Sequence, residues 1–245
     1  MGNLILAIII QLAVISPIIA ISYNRHENRW IHLLLFALYY FFYQTLLAVP
    51  NWFPALRIIE SSYHWNWSGK IYAITGSFLF YILFRKRFAN YDYITFKQKN
   101  ALNPQFYITI AIFLLTIALA VISIKTSGER LAYFSFQLTI PGLDEELAFR
   151  GILLGLLSNS LKPKIHIGAV NPGNPSLLIT SILFGLCHSI QIDNNLVLYQ
   201  NWFEFANSFV IGLLLGWMTI KSGSILRAIL THNLINTLPK IIFWI

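Results

Sequence analysis

Apolar residues fill most of the chain in stretches long enough to form membrane-spanning helices. A spanning helix needs about 20 mostly apolar residues, and eight stretches approach that length. They cover residues 4–22, 31–49, 71–84, 105–124, 138–157, 176–191, 203–220 and 224–245. The pattern predicts an all-α fold, a polytopic transmembrane helix bundle of about eight spanning helices that forms a single membrane-embedded domain, 1–245.

Two connecting segments differ from these apolar stretches. Segment 51–70 is rich in aromatic residues, which favour the membrane interface over the bilayer core. Segment 162–176 holds three Pro and two Gly, a composition typical of a loop. No Lys or Arg precedes the first apolar stretch, so we expect a retained helix and not a signal peptide.

Composition supports a membrane location. Hydrophobic residues make up 57% of the chain and charged residues 11%, whereas a soluble domain has about 25% charged residues. The formal charge of +8 lies in short clusters between apolar stretches, as in loops that face a negatively charged leaflet. We therefore expect a multi-pass protein of the plasma or inner membrane that contacts the lipid bilayer and binds no nucleic acid.

The distribution of Lys and Arg predicts an orientation. The odd-numbered connections between the eight stretches hold eleven of them, and the even-numbered connections and the C-terminus hold five. Because cytoplasmic loops are enriched in Lys and Arg, the odd connections are predicted to be cytoplasmic and both termini external.

One apolar stretch carries an unusual polar cluster, "PGLDEELAFRG" at 141–151. Its four charged residues are Asp144, Glu145, Glu146 and Arg150. Facing lipid, four charges would cost about 10 kcal/mol on the insertion scale, so an internal, wet cavity is favoured. Glu146 and Arg150 are spaced i,i+4 and can pair, while Glu145 points about 100° away and is left for chemistry. Asp144 is expected to be a helix-start residue.

Two later apolar stretches carry polar residues at a compatible depth. "FGLCH" ends at His188, and "HNLIN" places His232 and Asn236 one turn apart on one helix face. Glu145 can remove a proton from water while His188 holds that water. His232 and Asn236 can donate hydrogen bonds to the oxyanion of a tetrahedral intermediate. This set predicts amide hydrolysis by activated water, without a covalent intermediate, metal or cofactor.

The motifs "EELAFR", "FGLCH" and "HNLIN" occur in an order that resembles the CPBP family. That family covers type II CAAX prenyl endopeptidases and bacteriocin-processing or immunity (Abi) relatives. The resemblance covers about residues 138–240 and implies a catalytic core there, whereas 1–137 carries no matching motif. It implies a glutamic-type intramembrane protease acting on a membrane-associated protein or peptide. It assigns Glu145 and His188 to water activation, His232 and Asn236 to the oxyanion, and a supporting role to Glu146 and Arg150.

Several alternatives stay open. The Glu and His residues of the motifs could bind zinc, the chain could be a non-enzymatic bacteriocin-immunity protein, and a transporter would also use buried carboxylates. A nucleophilic pair of Cys187 with His188 is disfavoured because adjacent helical residues diverge by about 100°. The predicted orientation puts the catalytic end on the outer face. It therefore favours exported peptides or C-terminally anchored surface proteins over prenylated substrates.

Overall fold

A computed structural model describes residues 1–25, 29–59, 65–99, 104–124, 128–167 and 170–244. It is 80% helical, which confirms the all-α class. Its α-helices are α1 (Gly2–Ser22), α2 (Trp30–Trp52), α3 (Trp67–Phe84), α4 (Pro104–Ile124), α5 (Gly128–Gln137), α6 (Ile140–Glu146), α7 (Leu154–Ser160), α8 (Pro175–Ser189), α9 (Trp202–Ser222) and α10 (Leu226–Trp244). A π-helix, Leu147–Leu153, joins α6 to α7, and 3₁₀ turns lie at Pro54–Leu56 and Arg85–Phe88.

Two short antiparallel hairpins complete the fold. The first pairs β1 (Ile165–Ile167) with β2 (Val170–Gly173), inside the segment that was predicted to be a loop. The second pairs β3 (Ile190–Ile192) with β4 (Leu198–Gln200), and it connects α8 to α9. Neither hairpin was predicted from the sequence.

Each of the eight apolar stretches contains helix. Within the described part of the chain, three helices, α1, α2 and α9, are long and apolar enough to cross a membrane, and 106–122 and α8 are shorter apolar helices. The total of about eight spans therefore stays a prediction. Helix α5 was not predicted as a separate element, because its sequence "GERLAYFSFQ" interrupts the apolar pattern.

Asparagine side chains cap the starts of three helices, of which α3 and α8 line the site described below. Asn66 accepts a hydrogen bond from Gly69 N at the start of α3, and Asn174 accepts one from Leu177 N at the start of α8. Asn201 accepts from the first turn of α9, which ends at Gly223 in the left-handed conformation with φ 69°. These caps satisfy backbone N–H groups that have no partner within the helix.

The continuous helical rod from α6 through α7 lies at the centre of the molecule. All residues from 146 to 157 are buried. Side chains of α2, α3, α8, α9 and α10 surround it, with α2 and α3 on one side and α10 against α6. The charged residues of 144–150 therefore face other helices and not lipid, in agreement with the internal location predicted from their energetic cost.

Candidate active site

A cavity of about 380 Å³ lies between α3, α5, α6, α8 and α10. Among its lining residues are all four residues predicted to be catalytic. The cavity is lined by Lys70, Tyr133, Phe136, Gln137, Pro141, Glu145, His188, His232 and Asn236. Residues as far apart in the sequence as Lys70 and Asn236 thus share one space.

The two carboxylate oxygens of Glu145 have different surroundings. Oε1 accepts a hydrogen bond from Lys70 Nζ at 2.8 Å. Oε2 lies 3.6 Å from His188 Nε2 and 3.8 Å from His232 Nε2. These two separations are too long for direct hydrogen bonds, and a water beside the three atoms could bridge them. One oxygen is therefore anchored, and the other faces both imidazoles.

The geometry of His188 fixes the position of its hydrogen. Its Nδ1 lies 2.8 Å from the carbonyl oxygen of Phe184, one turn earlier in α8. A carbonyl can only accept, so Nδ1 carries the hydrogen and the neutral ring presents Nε2 as an acceptor. The Phe184 ring, 4.4 Å from the imidazole between centroids, packs against His188. His188 thus turns an acceptor nitrogen toward Glu145.

His232 is held by the neighbouring carboxylate. Its Nδ1 lies 2.7 Å from Glu146 Oε1, which also accepts from Arg150 Nη1 at 3.0 Å. Arg150 is 1% exposed, donates to the Gly212 carbonyl at 3.4 Å and lies 4.3 Å from the centre of the Phe184 ring. The ion pair predicted from i,i+4 spacing is therefore present, and it also orients His232.

Two asparagines of α10 have different contacts. Asn236 lines the cavity, and its backbone carbonyl accepts a hydrogen bond from the Tyr133 hydroxyl at 2.6 Å. Asn233 is 2% exposed: its Oδ1 accepts from Gly142 N at 2.8 Å and its Nδ2 donates to the Leu138 carbonyl at 2.9 Å. Asn233 therefore fixes the start of α6, a role that sequence reasoning did not assign.

Comparison with known proteins covers this same region. Residues 127–238 match the sequence model of the family described as type II CAAX prenyl endopeptidase Rce1-like. We refer to residues 127–238 as the Rce1-like domain. The domain contains Glu145, His188, His232 and Asn236, and it largely coincides with the core 138–240 expected from the motifs. The match to this family model, together with the apolar helices, suggests a peptidase in a membrane setting.

The chain is also similar to an uncharacterized 24.3 kDa protein of Escherichia coli. The two are 34% identical over 96 residues, which is 39% of this chain and 37% of that protein. The match thus spans little more than a third of the relative. No solved structure matches the chain.

Lys70 reaches the cavity from outside the Rce1-like domain, and sequence analysis counted it only as a loop charge. Asn66 caps α3 and also donates to the Leu47 carbonyl at 3.0 Å, which ties the first turn of α3 to α2. Lys70 lies in that turn. A cation near a helix N-terminus is unfavourable. A lysine in the first turn of α3 was therefore the feature of the sequence that indicated an anionic partner for Lys70.

The expectation that Asp144 is a helix-start residue is wrong. Helix α6 begins four residues earlier, at Ile140, and Asp144 is 0% exposed. Its Oδ2 accepts from Lys70 Nζ at 2.8 Å and from the Tyr43 hydroxyl at 3.0 Å. Asp144 therefore links α6 to α2 and α3, because a buried carboxylate requires such partners.

The expected divergence of Cys187 and His188 is also wrong. Cys187 Sγ lies 3.3 Å from His188 Nδ1, since both groups bond to the Phe184 carbonyl. The sulfur, however, contacts the nitrogen that is turned away from Glu145. Cys187 is not among the described residues that line the cavity.

A zinc centre would use the same Glu and His residues of the Rce1-like domain. Across the described ranges, no group of three or more His, Cys, Asp or Glu has donor atoms placed to hold a metal ion. His232 Nδ1 and Arg150 Nη1 both engage Glu146 Oε1, so Glu146 would have to leave these partners to become a ligand.

Proposed function

We propose that the chain is a multi-pass endopeptidase of the cell membrane. It hydrolyses a peptide bond of a membrane-associated protein or peptide by means of a water molecule that Glu145 and His188 activate. The observation that carries this proposal is the placement of Glu145 Oε2 within 3.6 and 3.8 Å of the two imidazole Nε2 atoms in one cavity. The family match supports the peptidase class.

The tautomer of His188 indicates how the water is oriented. The water donates one hydrogen to Glu145 Oε2 and the other to His188 Nε2, which accepts when the ring is neutral because Nδ1 donates to the Phe184 carbonyl. Both hydrogens are then directed at the protein, and an oxygen lone pair points at the substrate carbonyl. This arrangement lowers the entropic barrier to attack, since the nucleophile is already positioned.

Attack forms the bond between the water oxygen and the carbonyl carbon while Glu145 takes the proton. The π electrons of the carbonyl move to its oxygen and give a tetrahedral oxyanion. Asn236 Nδ2–H and His232 Nε2–H stabilise this charge. His232 acts here as an imidazolium whose Nδ1–H is donated to Glu146.

The charge balance of the site supports this protonation state. Asp144, Glu145 and Glu146 are then matched by Lys70, Arg150 and protonated His232, all within the ion pairs of one cluster. Buried charges are tolerated when they are paired and hydrogen-bonded. In the last step the C–N bond breaks and Glu145 returns its proton to the leaving amine, which regenerates the carboxylate.

The test compares protein termini, by mass spectrometry, in membranes from cells that express wild type or Glu145→Gln at matched levels. Glu204→Gln, an exposed first-turn residue of α9, is the matched control. We expect new termini with wild type and Glu204→Gln, and none with Glu145→Gln. Such termini identify the substrate as well.

Other outcomes identify the alternatives. Termini that persist with Glu145→Gln would refute the proposed mechanism. Termini that disappear when a zinc chelator is added, and return with zinc, would establish a metalloprotease instead. If none of the three proteins generates a new terminus relative to cells without the protein, and bacteriocin resistance is retained, the chain is a non-enzymatic immunity protein.

A further inference from the structure

We propose that Lys70 is a positioning residue for Glu145: it anchors one carboxylate oxygen so that the other faces the water and the two imidazoles. This inference rests on the proposed function. It assigns part of the active site to helix α3, which lies outside the Rce1-like domain and carries no motif.

The two oxygens of Glu145 provide the first argument. Lys70 Nζ lies 2.8 Å from Oε1, whereas Oε2 accepts no hydrogen bond from any side chain or backbone group in the described part of the chain. A charged hydrogen bond to one oxygen restricts rotation of the carboxylate group. The remaining oxygen therefore stays directed at the space beside His188 and His232.

Lys70 is itself held on several sides. Its ammonium also donates to Asp144 Oδ2 at 2.8 Å, and Asp144 accepts in turn from the Tyr43 hydroxyl at 3.0 Å. Its side chain is 13% exposed, and Asn66 fixes the turn of α3 from which it extends. The chain of contacts Tyr43–Asp144–Lys70–Glu145 thus fixes the ammonium between two carboxylates.

Asp144 has a defined part in this arrangement. A lysine with Glu145 as its sole carboxylate partner would be free to follow that side chain. With Asp144 as a second partner on the preceding residue of α6, the ammonium has a fixed location that does not depend on Glu145. Networks of this kind hold catalytic groups within the small tolerances that reaction geometry requires.

The first experiment tests whether Lys70 anchors the Glu145 carboxylate or only balances its charge. It measures kcat and KM on a synthetic peptide that spans the junction identified by the comparison of termini. We expect Lys70→Met to lower kcat about 10²-fold, the effect of a misplaced reacting group, with KM changed less than about threefold. Lys70→Arg, which keeps the charge and the hydrogen bonds, should recover at least a tenth of the wild-type kcat. Lys221→Met, at an exposed lysine of α9, is the control.

The double variant Lys70→Met/Asp144→Asn makes the test sharper. It neutralises one of the two carboxylates that Lys70→Met leaves without their lysine, so its thermal stability should return part of the way toward that of wild type. Its kcat should stay low, because Glu145 is still not anchored. Full recovery of kcat in this variant would overturn the proposal, and so would an unchanged kcat in Lys70→Met or a loss confined to KM.

A second measurement needs no substrate. Reductive methylation of the folded protein, read by mass spectrometry, reports whether the Lys70 ammonium is engaged. Lys70 should react at least about tenfold more slowly than Lys221, and the double variant Asp144→Asn/Glu145→Gln should remove that protection. Equal reactivity of the two lysines in wild type would overturn the proposal even if proteolysis is established. Protection of Lys70 without any proteolysis would instead refute only the proposed function.

Discussion

Neighbouring amides on α10 have separate roles at the scale of single residues. Asn236 faces the cavity, whereas Asn233, one residue after His232, is bonded to the backbone at the start of α6. The two have the same chemistry but project about 60° apart around the helix axis, so that one lines the cavity and the other bonds to the start of α6. The pattern "HNLIN" contains both, so a substitution at either position is informative only when stability and turnover are measured together.

We expect Asn236→Ala to lower turnover about 10²–10³-fold, because one donor to the oxyanion is lost, while thermal stability is preserved. Asn233→Ala should instead lower the free energy of unfolding by about 1–3 kcal/mol, since the buried Gly142 N–H loses its acceptor. Thermal unfolding in detergent and peptide hydrolysis measured on the same preparations check both. The opposite assignment of effects would contradict the roles given to the two residues.

Arg150 offers a second prediction at this scale. Arg150→Met leaves Glu146 buried with His232 as its remaining partner, and we expect a loss of about 3–5 kcal/mol in the free energy of unfolding. Arg150→Lys should recover little of it, because the contacts to the Gly212 carbonyl and the Phe184 ring use the planar guanidinium. Denaturant titration in micelles measures the free energy of unfolding of both variants. An Arg150→Met protein as stable as wild type would contradict a stabilising role for the Arg150–Glu146 pair.

At the scale of elements, the close approach of α6 to α10 depends on Gly142. A Cβ placed there would lie 2.5 Å from Asn233 Oδ1 and 2.7 Å from the Ile229 carbonyl. The helices therefore meet through backbone and amide atoms, with no space for a side chain. This contact sets the distance between the Glu145 helix and the His232 helix.

Gly142→Ala should accordingly destabilise the fold by about 1–3 kcal/mol, the usual effect of overpacking, and reduce turnover as well. Gly2→Ala is the matched control, since a Cβ at Gly2 meets nothing within 4 Å. Both variants are compared by thermal unfolding and by hydrolysis of the same peptide. A Gly142→Ala protein as stable and active as the control would show that the two helices can separate without consequence.

The helices could be predicted from the sequence because bilayer thickness sets the length of an apolar stretch. Spacing within one helix also predicted the Glu146–Arg150 pair. The π-helix Leu147–Leu153 and the β3–β4 hairpin were missed, since neither leaves a distinct apolar period. Lys70 and Tyr43 were missed for a different reason. Their contacts with Asp144 join separate helices, and sequence spacing contains no information on such contacts.

For the whole molecule, the site lies at one end of the helices. Lys70 is near the start of α3, whereas Lys86 follows the end of that helix, so about 24 Å separates the two along the helix axis. The β3–β4 hairpin begins two residues after His188 and is at the site end. Lys70, which was counted as a loop charge, has its ammonium in the cavity. When Lys70 is left out of the loop charges at the site end, the excess of Lys and Arg on the connections at the opposite end becomes larger.

This asymmetry predicts that the site opens toward the outer face, because loops rich in Lys and Arg remain in the cytoplasm. The test uses a Cys187→Ser protein, which is free of cysteine, with one new cysteine at an exposed position at either end: Asn195→Cys in the hairpin or Lys86→Cys after α3. A membrane-impermeant maleimide added to intact cells should label Asn195→Cys, and it should label Lys86→Cys only after the membrane is permeabilised.

Labelling with the opposite pattern would place the site on the cytoplasmic side. Prenylated C-termini, which are presented from the cytoplasm, would then become the favoured substrates over exported peptides or C-terminally anchored surface proteins. The chemistry proposed for Glu145 and His188 would be unaffected, since it depends on distances within the cavity and not on orientation. The orientation of the bundle thus selects the substrate class, while the arrangement of side chains around Glu145 determines the reaction.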